Sequence, residues 1–230
     1  MPSIPFTAYD FFAYLSAGFV VIGAADFAFS SGWILDADLT FIEGLVWVVL
    51  AYVLGHVISA LSAPVLEQRF AEGRLGPREE VLFGLPEGER KGLRYKLFPG
   101  YFHALPDEIR EMVLERARKE TTLEKPGRAL FMYCDAHTRQ RKETAPILAI
   151  FLNISGFARN TCLAAVFAAA LLGIGALADD ADRGTKALLA LAALAAAIGL
   201  LYRYLKFFRL YAREAFLFYA IQEPAKPPEE

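Results

Sequence analysis

The stretch Phe41–Ala63, "FIEGLVWVVLAYVLGHVISALSA", decides the fold. It carries one carboxylate (Glu43), one histidine (His56) and no Lys or Arg. Crossing the hydrocarbon of a bilayer takes about 20 predominantly apolar residues, so this stretch predicts a membrane span. Three further stretches read the same way: about Phe11–Ser31, about Phe157–Leu177 within a longer apolar run, and the alanine-rich Thr185–Tyr204. A short loop joins the first pair and another joins the last pair. The expected fold is an all-α membrane protein with four transmembrane helices as two hairpins and a mainly helical cytoplasmic insert. The expected divisions are 1–63 (first hairpin), 64–145 (insert), 146–206 (second hairpin) and 207–230 (helix extension and disordered tail "EPAKPPEE").

Composition agrees with a membrane protein that also has a water-facing part. Of 230 residues 56% are hydrophobic and the mean hydropathy is +0.34, above the 45–50% apolar content usual in soluble domains. Yet 22% are charged. A net charge of −2 argues against bulk nucleic-acid binding by a global basic field. Cys134 and Cys162 lie far apart without metal spacing and read as free thiols. The N-terminal apolar run lacks a basic leader and a clear cleavage site, so it reads as a retained span.

Loop charge predicts orientation, because cytoplasmic loops collect Lys and Arg. The loop around Asp36 and Asp38 has neither, and the loop holding Asp179, Asp180 and Asp182 has only Arg183 and Lys186. The stretch Pro64–Ala145 has 16 Lys and Arg. The insert and both termini are therefore expected in the cytoplasm, a parity that four spans satisfy. Within the insert, the second span's helix is expected to continue to about Gly73, and "VLFGLPEGERKGLRYKLFPGYFHALP" reads as irregular. Pro106, Asp107 and Glu108 open a helix that ends in cations. Another starts at Pro126 and is expected to run through Pro146, kinked, into the third span.

The closing stretch Tyr202–Ala220, "YRYLKFFRLYAREAFLFYA", sets Arg203, Lys206, Arg209 and Arg213 among eight aromatics. Gating charges of a voltage sensor lie within a span, and these begin at its inner edge. The stretch reads as a membrane exit followed by a helix whose Phe207, Tyr211 and Phe218 dock on the insert. Arg209 and Arg213 are left facing solvent, a neighbouring acid or an anionic ligand.

Candidate pore-lining residues follow from the cost of charge in hydrocarbon. Asp26 and Glu43 sit at the outer level of the first and second spans. They are either headgroup-level carboxylates or a ring that favours cations. Tyr52, His56 and Ser59 share one helical face, which reads as a wet path or as a close helix contact. Arg159 stands at the entrance of the third span, where it snorkels, pairs with an acid or holds an anion. The clusters "ERKGLRYK" (Arg90, Lys91, Arg94, Lys96), "RARK" and "RQRK" (Arg139, Arg141, Lys142) read as solvated faces or headgroup contacts. In an oligomer, copies of Arg94, Lys96, Arg139 and Arg141 gathered about one axis would hold an anionic ligand. Signatures of metalloproteases, nucleophile elbows and P-loops are absent from the sequence. The expectation is neither an enzyme nor a cofactor protein.

The segments "TAYDFFAYLSAGFVV", "AYVLGHVISALSAPVLEQRF", "LFPGYFHALPDEI" and "GFARN" resemble a family of small four-pass bacterial membrane proteins. The resemblance spans most of the chain. The layout of two membrane hairpins around a compact insert also resembles the membrane effector of the Hailong anti-phage system. That resemblance implies an oligomeric channel in the bacterial inner membrane, held shut by single-stranded DNA oligomers from a partner nucleotidyltransferase. Losing the oligomer would open it and depolarise the cell. No ligand residue is carried over from that family. Beside it, the residues support a homo-oligomer, with a tetramer as the working stoichiometry, whose second span lines a pore within the lipid bilayer. A non-conducting adaptor that recruits a cytoplasmic partner is the alternative. A transporter subunit would show broken helices at mid-membrane, which the fourth stretch does not.

Overall fold

A computed structural model describes residues 8–34, 38–84, 92–123, 125–179 and 182–221, with the backbone alone for 8–10. Asp36, Asp180, Arg90, Lys91 and the tail "EPAKPPEE" lie outside the described residues. The described residues form helices and connecting turns, with no strand among them. Helix α1 spans Ala8–Phe29, and α2 spans Phe41–Ser62. From Ala63 to Leu75 the chain continues as a π-helix. Pro64 lies in its first turn; proline cannot donate to the helical ladder and its ring crowds the preceding turn, which favours a wider winding. The short helices α3 (Arg78–Leu82) and α4 (Leu93–Leu97) and a 3₁₀ turn at Pro99–Phe102 follow. Helix α5 runs Asp107–Glu120, α6 Arg128–Arg139, α7 Ala145–Ala178 and α8 Arg183–Ile221. By length and composition four helices can cross a membrane: Phe11–Phe29, Phe41–Leu75, Ala145–Ala178 and Arg183–Ile221.

Two expectations are corrected here. The stretch expected to be irregular begins inside α3, at Val81, and contains α4 and the 3₁₀ turn. The helix expected to run from Pro126 through Pro146 instead breaks after Arg139, and α7 begins at Ala145. Thr138 and Thr144 make the break: the Thr144 hydroxyl donates to the Thr138 carbonyl at 2.7 Å. Pro146 then falls in the first turn of α7, where its missing N–H has no partner to lose, rather than at a kink inside a helix.

The chain divides into two compact units, Met1–Phe70 with Asn153–Tyr204, and Ala71–Leu152 with Leu205–Glu230. The first is held by close helix contacts. Gly18 lies against the Ala51 backbone and Gly55 against that of Tyr14, so α1 and α2 run antiparallel. Gly175 lies in the same way against Ala28. Ala17, Ile58, Leu163 and Ala164 form one small cluster, and Cys162, Ala165 and Ala197 another.

The second unit has one larger core in which Leu82, Val113, Leu130, Phe131, Cys134 and Leu148 surround Tyr211, Phe216 and Tyr219 of α8. The docking expected of Tyr211 and Phe218 is therefore observed. Phe207 pairs instead with Phe151 of α7, ring centroids 6.2 Å apart. Arg78 lays its guanidinium 3.9 Å from the Phe208 ring and donates to the Phe208 carbonyl at 3.3 Å.

Candidate functional site

The candidate carboxylates are held by local turns. Asp26, 3% exposed, accepts from the Ser31 hydroxyl at 2.7 Å and from the backbone N–H groups of Trp33 and Ile34 at 2.8 and 3.0 Å. Its carboxylate thereby closes the turn after α1, where Ser30 takes a left-handed φ of 50°. Glu43 forms a capping box with Thr40. Its carboxylate accepts from the Thr40 N–H at 2.9 Å and hydroxyl at 2.7 Å, while the Glu43 N–H donates back to that hydroxyl.

The shared face of α2 packs on α1. His56 stacks on Tyr14 with centroids 4.1 Å apart and meets Tyr52 edge-on at 4.6 Å. Tyr52 in turn meets Phe11 at 5.3 Å. Ser59 is half-buried, and its backbone carbonyl accepts from the Ser62 hydroxyl at 2.8 Å. Of the two uses weighed for this face, Tyr52 and His56 realise the helix contact. The side of α2 left exposed is apolar: Leu45, Val46, Val49, Val53, Val57 and Leu61.

Arg159 pairs with the Glu67 carboxylate, and its Nε donates to the Ser62 hydroxyl at 3.1 Å. That hydroxyl also lies 2.7 Å from the Asn160 side-chain amide, so α7 and the end of α2 share one polar network. Glu67 escaped sequence reasoning because its distance from Arg159 along the chain gives no periodic signal.

The cations of the second unit are engaged locally. Arg139 reaches Asp135 at 2.9 Å and the Tyr211 hydroxyl, which donates to Asp135 at 2.5 Å. Arg209 donates from Nε to the His103 carbonyl at 3.1 Å, Arg213 lies 3.4 Å from Glu214, and Arg94 donates to the Arg74 carbonyl at 3.1 Å. Arg141 is half-buried, with its backbone N–H on the Thr138 carbonyl, and Lys96 is exposed. Each engaged side chain has its own local partner rather than a common centre.

Two polar centres were missed. Lys186, 1% exposed, reaches Asp179 at 2.8 Å and the Ser30 hydroxyl at 3.2 Å, tying the start of α8 to the end of α1. As a loop charge it gave no sign of burial. Glu120 is a hub: it accepts from Arg116 at 2.7 Å, Tyr219 at 2.9 Å and Tyr133 at 3.2 Å. Arg116 also donates to the Tyr219 carbonyl at 2.6 Å and lies over its ring. Partial burial would raise the Glu120 carboxyl, but these donors and the Arg116 charge hold it below the usual range. Burial, with Arg116 nearby, lowers His137 against the pull of Glu120. Burial pushes the Cys134 thiol up to about 12, so it is an inert packing group rather than a nucleophile. No cluster of three or more metal-ligating side chains is present among the described residues.

No family model matches this chain, and no curated protein or solved structure matches it either.

Proposed function

We propose that this chain is the membrane effector of a bacterial anti-phage defence, a homo-oligomeric ligand-gated ion channel of the inner membrane. In this reading the spans form two hairpins, and the insert and both termini lie in the cytoplasm. A tetramer is the working stoichiometry. The channel is held closed by a single-stranded DNA oligomer or a nucleotide second messenger from a partner nucleotidyltransferase. Removing that ligand opens it and depolarises the cell.

The observation that carries the reading is how little of α2 and α8 the chain covers for itself. Alongside the exposed side of α2, α8 exposes Leu188, Leu191, Leu194 and Ile198. Four spans in one chain enclose little path, whereas copies set about an axis can each contribute one helix. The resemblance in layout to the Hailong effector points the same way. With Asp26 and Glu43 held in turns and Tyr52 and His56 packed on α1, a pore built on α2 is lined by Val46, Val49, Val53 and Val57. Such an apolar constriction closes by dewetting rather than by a charged ring. The ligand then binds across copies in the insert.

The test is planar-bilayer recording of purified protein with and without single-stranded DNA oligomers. The channel reading expects stepwise currents that the oligomer silences, and Val53→Asn should raise open probability by wetting the constriction. Silence in both conditions and in the variant contradicts it. A second reading, the non-conducting adaptor, is favoured by one observation: the polar face of α2 is occupied by α1. The adaptor predicts that Val53→Asn changes neither current nor toxicity.

A further inference from the structure

Helix α4, Leu93–Leu97, has no buried residue. Leu93 is 72% exposed, the most of any large apolar side chain described in its unit, and Leu97 is 49% exposed. One helical period fixes the arrangement around the axis. Leu93 and Leu97, four apart, share a face; Arg94 and Lys96 flank it on either side; Tyr95 points opposite.

The protein-facing side is anchored. Tyr95 stacks on Phe102 with centroids 5.5 Å apart, and Phe102 is buried. Neighbouring Tyr101, also buried, donates to the Gly76 carbonyl at 2.9 Å. Arg94 is tied to the Arg74 carbonyl at 3.1 Å, which brings exposed Arg74 alongside. Pro99 and Gly100 continue the exposed surface. The two leucines are therefore held outward, edged by cations.

We infer that α4 is an in-plane lipid contact that seats Leu93 and Leu97 among the headgroups of an anionic leaflet. An amphipathic element with an apolar face and flanking Lys and Arg is what binds that surface, and anionic headgroups complement the cations. A chain whose helices can cross a bilayer brings such a surface with it. The assignment goes beyond the channel reading and holds equally for a non-conducting anchor. It makes Arg94 and Lys96 lipid contacts rather than parts of a nucleic-acid site.

The test is nitroxide accessibility at Leu97→Cys in the full chain, reconstituted in nanodiscs of phosphatidylcholine alone or enriched in phosphatidylglycerol. Cys134 and Cys162 are buried, so the parent should take no label. Exposed Met112→Cys, on α5, is the aqueous reference. The expected result is that oxygen collides with the residue-97 label more than a water-soluble nickel chelate does in anionic nanodiscs. The order should reverse in phosphatidylcholine alone or with Lys96→Glu, while residue 112 behaves as water-exposed in both. Water-like access at 97 in both lipids overturns the proposal. So does protection from both reagents whatever the lipid, which would mean protein covers it, or protection that appears only with added single-stranded DNA.

Discussion

In the unit formed by Met1–Phe70 and Asn153–Tyr204, helices meet where side chains are missing: Gly18 on Ala51, Gly55 on Tyr14, Gly175 on Ala28. In the unit formed by Ala71–Leu152 and Leu205–Glu230, they meet around large rings, with Phe216 and Tyr219 fully buried. The difference follows from the surroundings each composition suits. Lipid tails are as apolar as leucine, so burial adds little to helix association in a bilayer; close backbone approach and polar links such as Ser62–Asn160 replace it. In water, burying an aromatic ring removes much apolar surface and drives packing directly.

Substitutions can break this contrast, and the largest effect is expected at Gly55. A Cβ there would run into the Tyr14 backbone carbonyl. Gly55→Val should abolish α1–α2 pairing, read as loss of folded, monodisperse protein in detergent. Gly23→Val, with nothing within 4 Å of its Cβ, should leave it intact. Equal tolerance at both positions would mean the close contact carries no weight. In the other unit, Phe216→Ala should cost about 3–5 kcal/mol, the usual range for a buried phenylalanine, measured by denaturant unfolding. The first unit's polar link is expected to matter less. Glu67→Ala leaves the Arg159 guanidinium without its acid and should cost about 1–3 kcal/mol, with Arg159→Lys intermediate by thermal melting.

The smallest effect is a pH dependence in the aromatic unit. Glu120 and His137 both titrate below their ordinary values of 4.5 and 6.5, so the unfolded chain binds more protons than the folded one as pH falls. Their stabilisation is present above those values. It is lost first as pH drops below 6.5 for His137, then below 4.5 for Glu120. His137→Gln should remove the first limb of a melting-temperature profile and leave the second. A profile flat from neutral to acid would contradict the hub geometry.

How much the sequence revealed depends on whether a feature is local. Long apolar runs announced all four candidate spans, because length and hydropathy are local properties. The continuation of α8 to Ile221 and the docking of Tyr211 were legible from aromatic spacing. The break before α7 was not, since Pro146 reads equally as a kink or as a first-turn residue until Thr144 is seen bonding Thr138. Site residues fared worse. Whether Asp26 faces a pore or closes a turn depends on where the amides of Trp33 and Ile34 go. Whether Arg159 snorkels or pairs depends on Glu67, which only tertiary packing brings near.

The proposed function needs one unit in the bilayer and the other in the cytoplasm, and substituted-cysteine labelling tests that directly. Trp33 and Met132 are both exposed, one in the turn after α1 and one on α6. In intact cells a membrane-impermeant maleimide should label Trp33→Cys and spare Met132→Cys, and permeabilisation should expose the second to label. Labelling of Met132→Cys in intact cells, or identical labelling of both before permeabilisation, would contradict the account.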